Sequence, residues 1–324
     1  MNFDGVEKIA AAILYEGYIL YPYRPTAIKN RQRWNFGTLY PRVYAEAQRP
    51  PEPSRLVAEC LVVAEAAASL NFKISFLQLI PQRQAASADL REFSDPSLAW
   101  EEAIERTFER HNLLLSDLIA SPLTLTLRLD SARLQAGRRS DENPGLQAML
   151  KIAGEILPDG ACRLHLELQN ASALVSGDET KRDEALPQSF VSAHVLLGVN
   201  NGEFVSLLDP AELYKEPAAG CHNVGVFPVL VGEDRTMMLC SPIILYDYPQ
   251  IAPESGGDFF DGTEMDEMLI LRVLTLTDAE KQEMRDGDPR ARRILERTES
   301  LTAESMLKTH GVIRGLREIR GDAQ

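Results

Sequence analysis

Ser69-Leu70-Asn71-Phe72-Lys73-Ile74-Ser75-Phe76-Leu77-Gln78-Leu79-Ile80 decides the fold class. Phe72, Ile74 and Phe76 recur at every second residue with Lys73 and Ser75 between them, the period of a strand with one face in a core. The same period governs Leu123-Thr124-Leu125-Thr126-Leu127-Arg128-Leu129. It returns in Cys162 to Leu168, where Leu164, Leu166 and Leu168 alternate with Arg163, His165 and Glu167. Arg55 to Val63 reads as a strand paired with 69–80. Val191 to Val199 and Phe204 to Leu208 read as a hairpin around Asn200-Asn201-Gly202, a strong turn signal. Val224 to Val231 and Met237 to Tyr246 continue the pattern across the turn Gly232-Glu233-Asp234-Arg235. Most connections are too short for helical crossovers. The expectation is an α+β, mainly β chain: an antiparallel β-sandwich or barrel-like core with an N-terminal helix and a C-terminal helical tail.

The helices are expected chiefly at the ends. Asp4-Gly5-Val6-Glu7 has the form of a capped helix start, and Thr277-Asp278-Ala279-Glu280 that of a capping box. Asp288-Pro289 opens a second tail helix. One internal helix is expected after Asp95-Pro96, with Trp100, Ala103, Ile104 and Phe108 as its apolar face. These readings give a β-rich core with its N-terminal helix over 1–276 and a helical tail over 277–324. The core is either one unit or two interleaved sub-domains, 54–170 and 186–276.

The chain has 324 residues, with 34 Lys and Arg against 48 Asp and Glu, a net charge of −14. That balance opposes binding to phosphate backbones, so no nucleic-acid partner is expected. No apolar run approaches the roughly 18 to 20 residues that span a bilayer, and no membrane insertion is expected. Met1-Asn2-Phe3-Asp4 does not open a secretory signal. The four cysteines, Cys60, Cys162, Cys221 and Cys240, form no C-x-x-C pair and read as reduced thiols of a cytoplasmic protein. Phosphate-loop, dinucleotide, zincin and esterase motifs are lacking, and no cofactor is expected.

Charge is unevenly laid out. Residues 20–50 carry six basic groups (Arg24, Lys29, Arg31, Arg33, Arg42, Arg49) and one acid, Glu46. Arg24, Arg31, Arg33 and Trp34 offer planar forks and an aromatic face to an acidic surface, or pair within the fold. Residues 247–267 carry seven acids and no Lys or Arg. Asp258, Asp261 and Glu264 read as a solvated or partner-facing segment, or as oxygen ligands for Ca²⁺ or Mg²⁺, although the EF-hand pattern is missed. His194, Cys221 and His222 are soft ligands that would need to converge for a metal site. Cys162 and His165 fall on opposite faces of their strand, and His194 reads as a core histidine.

Leu14-Tyr15-Glu16-Gly17-Tyr18-Ile19-Leu20-Tyr21-Pro22-Tyr23-Arg24 and Lys29-Asn30-Arg31-Gln32-Arg33-Trp34-Asn35-Phe36-Gly37 are distinctive strings. So are Gly202-Glu203-Phe204-Val205-Ser206-Leu207-Leu208-Asp209-Pro210 and Ser241-Pro242-Ile243-Ile244-Leu245-Tyr246-Asp247-Tyr248-Pro249. Over roughly 6–50 and 186–280 the chain resembles a bacterial protein family associated with [NiFe]-hydrogenase gene clusters. The resemblance brings no catalytic residues with it. It implies a non-catalytic cytoplasmic accessory or assembly protein that docks to a hydrogenase subunit or maturation factor. Its working surfaces would be 21–42 and 247–267. A second reading is a hydrolase or metal-handling enzyme using acids of 247–267 with His194 or Cys221 and His222. A third is a small-molecule-binding barrel, whose sign would be a lined apolar cavity.

Overall fold

The computed structural model describes residues 3–15, 21, 23, 36–80, 102–129, 145–174, 180–250, 266–286 and 289–301. In chain order the elements are α1 (Asp4–Leu14), α2 (Arg42–Ala47), β1 (Arg55–Ile80), β2 (Glu102–Leu114), α3 (Leu115–Ala120), β3 (Leu123–Leu129), β4 (Leu146–Ile156) and β5 (Cys162–Asn170). There follow α4 (Arg182–Ala185), β6 (Val191–Phe204), α5 (Lys215–Ala219), β7 (Phe227–Val231), β8 (Met237–Ser241), α6 (Asp266–Leu274), α7 (Asp278–Asp286) and α8 (Pro289–Glu299). The fold is mainly antiparallel sheet, curled into a half-barrel, with helices at the N-terminus and in the C-terminal region.

The sheet runs β3-β4-β5-β1-β6-β8-β7, and β2 also pairs with β1. β1, 26 residues long, is its spine. The first half of one edge takes β5, from Arg55↔Gln169 to Val62↔Cys162. The second half of that edge takes β2, from Ser69↔Leu114 to Ile80↔Glu102. β6 lies along the other edge. Period two then sorts the side chains. Leu56, Cys60, Phe72, Ile74, Leu164, Leu168, Val195 and Cys240 share the concave core. On the convex side, Phe3, Val6, Ala10 and Ile13 of α1 cover Leu196, Val229 and Leu239.

Four local expectations are corrected. Arg55 to Val63 does not pair with 69–80, since both belong to the single strand β1, whose partners are β5, β2 and β6. Trp100 to Phe108 is not helical over its described part, because Ile104, Arg106, Phe108 and Arg110 stand opposite Gln78, Phe76, Ile74 and Phe72. Cross-strand pairing on a buried face overrides a short helical spacing. Asn200-Asn201-Gly202 is not a hairpin turn, since β6 runs through it as one strand. Here β1 bulges between Ala64 and Ser69, and the special residues of β6 meet that bulge. Asn201 takes φ 55, and a Cβ at Gly202 would stand 2.9 Å from the Val63 carbonyl oxygen. Asn200 Nδ2 donates to Ser69 Oγ at 3.1 Å across the same irregularity. Glu7 does not close a capping box at the start of α1. It turns to Lys73 of β1 instead, an ion pair that fastens the helix to the sheet.

The chain divides into two compact units, 1–15 with 34–250 and 16–33 with 251–324. In the second, α8 packs on α7 and α6, with Met284, Ala291, Ile294 and Leu295 buried. The expected capping box forms before α7: Thr277 N–H donates to Glu280 Oε2 at 2.9 Å, and Glu280 N–H to Thr277 Oγ1 at 3.3 Å.

Candidate functional site

At the end of the half-barrel where β1 pairs with β2, the concave face holds an open cavity of about 370 Å³. Phe76 and Phe190 meet edge-to-face at its base, with ring centroids 4.6 Å apart. Phe108 of β2 forms one wall, and the Arg110 guanidinium lies over its ring at 4.7 Å, a cation–π stack at the mouth. Leu125, Leu127 and Leu129 of β3 form the facing wall and are only partly buried. α3 carries the chain from β2 to β3, with Leu115 and Leu118 sunk in the core. It packs closely on β4: a Cβ at Gly154 would stand 2.9 Å from Ile119 Cγ1.

β2 and β3 meet the cavity differently. From β2 come Phe108 and Arg110, which share one parity, so this strand presents a face. From β3 come all of 125 to 129, both parities at once, so the strand lies along the cavity by its edge. Among the described residues β3 pairs with β4 alone. On the same face of β2 as Phe108, Arg106 Nε donates to the Gln78 side-chain oxygen at 2.9 Å. Two further donors of this pair, Arg106 Nη2 and Gln78 Nε2, are buried without an acceptor among the described residues.

A second polar constellation lies on the convex side. Glu59 of β1 stands opposite His165 of β5. Its Oε1 is 2.9 Å from His165 Nδ1, and its Oε2 accepts the His222 N–H at 2.7 Å. The Glu59 N–H donates to Asn223 Oδ1 at 2.8 Å. Burial works to raise the Glu59 carboxyl. The His222 N–H, the His165 ring and Arg163 outweigh it and hold the group below the usual carboxylate range. Beside it, burial pushes the Cys221 thiol up to about 11 despite the nearby Arg163. A thiol so raised is protonated at neutral pH and a poor nucleophile. The loop that supplies His222 is anchored beside the cluster, since Val205, Leu207, Tyr214 and Ala218 pack on Leu61.

The residues singled out from sequence separate. Arg24, Arg31, Arg33, Trp34, Asp258, Asp261 and Glu264 lie outside the described residues. Asp247, first of the acids of 247–267, is engaged internally, accepting from Ser206 Oγ at 2.5 Å and from the Leu230 N–H at 2.7 Å. His194 is buried in β6 opposite Ser75, and burial lowers its pKa to about 4. Its Nδ1 is 2.8 Å from the Ser192 carbonyl, and its Nε2 has no partner. Cys221 and His222 belong instead to the Glu59 cluster, near the other end of β1. Among the described residues no three His, Cys, Asp or Glu side chains gather as a metal site would require. Cys162 and His165 do take opposite faces, the first buried and the second half-buried. The sequence reading missed Arg106 and Arg110 and placed Phe108 on a helix. Their Arg-x-Phe-x-Arg period was a strand signal, masked by the helical spacing of their apolar neighbours.

Among the described residues no helix is long and apolar enough to cross a membrane. Compared with sequence models of known protein families and with curated proteins, the chain matches none.

Proposed function

We propose that this protein is a non-catalytic accessory protein that binds a partner through the cleft between β2 and β3. The observation that carries the reading is the open apolar cavity of about 370 Å³ with Arg110 at its mouth. A concave, largely apolar site with a few polar groups at the rim is a usual binding geometry. The nucleophile candidates lend an enzyme no support: the Cys221 thiol is raised by burial, and His194 is held neutral in the core. The sequence resemblance supplies the partner class, a [NiFe]-hydrogenase subunit or maturation factor in the cytoplasm. The acidic and basic segments 247–267 and 21–42 then serve as secondary surfaces.

The test is recovery of the full chain from cells that express a [NiFe]-hydrogenase, comparing the natural protein with Leu127→Asp, which places a carboxylate in the cleft wall. A hydrogenase subunit or maturation factor in stoichiometric amount with the natural protein, lost with the folded variant, is the expected result. Equal recovery with both would remove the cleft from the account, and no such component with either would remove the hydrogenase.

A further inference from the structure

The geometry points to an extended acidic peptide as the occupant of the cleft, added as a strand along the edge of β3 that has no partner among the described residues, with its carboxylates toward the arginines of β2. This inference rests on the binding reading above and names the chemistry of the partner segment.

Three independent observations converge on it. β3 offers an edge: Leu125 to Leu129 line the cavity at both parities, and β4 is its single partner among the described residues. An exposed edge is a template for main-chain pairing, and β-augmentation is a common way to capture an extended peptide. The facing wall is basic. Arg106 and Arg110 flank Phe108 on one face of β2, and no carboxylate pairs with either among the described residues. In a chain of net charge −14, Arg110 and Arg128, both lining the apolar cleft, are complementary to an anionic ligand. Finally, Arg106 Nη2 and Gln78 Nε2 are buried donors without acceptors among the described residues, and Gln78 has no exposed surface. Such groups are costly to leave unmade, and the register carries them on the same sheet face as the cavity, next to Phe76 and Phe108. Alternation fits this placement: the acids of an added strand all lie on one face, the face turned to the β2 wall.

The experiment is fluorescence anisotropy with the full-length protein and a labelled seven-residue peptide of alternating Glu and Val. Comparators are an alternating Lys and Val peptide, two Glu and Val peptides N-methylated on one or the other alternate set of residues, unlabelled laurate, and an apolar fluorescent dye. The Glu and Val peptide is expected to bind. The Lys and Val peptide and one of the two methylated peptides should bind at least about tenfold more weakly, the loss expected for a charge-assisted or main-chain bond removed. Arg110→Glu should weaken the acidic peptide by about tenfold or more and narrow its advantage over the basic one. Equal binding of the acidic and basic peptides overturns the inference, as does tolerance of both methylation patterns. Entry of laurate or dye without any peptide overturns it too, while leaving the binding cleft in place. Exclusion of peptide, laurate and dye alike overturns the cleft itself.

Discussion

On the convex side of the sheet, Glu59 uses both carboxylate oxygens and its own N–H on His165, His222 and Asn223, and the loop that supplies His222 is anchored beside it. On the concave side, Arg106 and Gln78 satisfy one bond between themselves and leave two buried donors without an acceptor among the described residues, on the sheet face that holds the apolar cavity. Both regions are built on β1, and both contain the residue types from which active sites are made. The first is saturated by its own chain, apart from Arg163 Nε. It therefore behaves as a clamp that holds the loop to the sheet. The second is incomplete, and incompleteness at a concave surface is what a ligand removes.

If the Glu59 cluster is a clamp, breaking it costs stability. Glu59→Ala removes the acceptor of the His222 N–H and the partner of the His165 ring and is expected to lose about 2 kcal/mol in urea unfolding. Glu59→Gln, which keeps an acceptor, should lose less. A loss below about 0.5 kcal/mol would mean that the cluster is not structural and would reopen it as a site.

Acid acts on the convex side next. Folding lowers the His194 pKa from 6.5 to about 4. Between those values the unfolded chain takes up a proton that the fold refuses. Stability from this group is therefore complete above about pH 6.5 and falls as the pH drops through about 4, by about 2–3 kcal/mol. Glu59, also lowered, adds a loss of the same sign further into acid. Unfolding midpoints from pH 7 to pH 4 should show the decline, and His194→Gln should flatten it.

The concave pair makes the opposite prediction. Replacing Gln78 and Arg106 together by Leu and Met removes both unsatisfied donors and should raise stability by about 1 kcal/mol, read as a higher Tm. A loss above about 1 kcal/mol would show that the pair is structural rather than poised for a ligand. Arg110→Glu should have the smallest effect on stability, within about 0.5 kcal/mol, because its side chain stacks on Phe108 at the mouth of the cleft.

The sheet was legible because period two in 69–80, 123–129 and 162–168 is a local signal of burial on one face. The joints between strands were less so. Asn200-Asn201-Gly202 carries the chemistry of a hairpin turn, and the fold uses that same chemistry to match a bulge in β1. A residue string alone cannot state which strand it faces. The cleft was hidden for the same reason. Arg106 and Phe108 acquire their shared face only by pairing with Phe76 and Ile74, thirty-odd positions earlier in the chain. By contrast, the opposite facing of Cys162 and His165 followed from their spacing alone.

Amide hydrogen exchange of the full-length protein, with and without the alternating Glu and Val peptide, tests the central claim most directly. Slower exchange is expected at alternate amides of Leu125 to Leu129, with the amides around Glu59 and His222 unchanged. Unaltered exchange along β3 at saturating peptide, or protection confined to the Glu59 cluster, would contradict it.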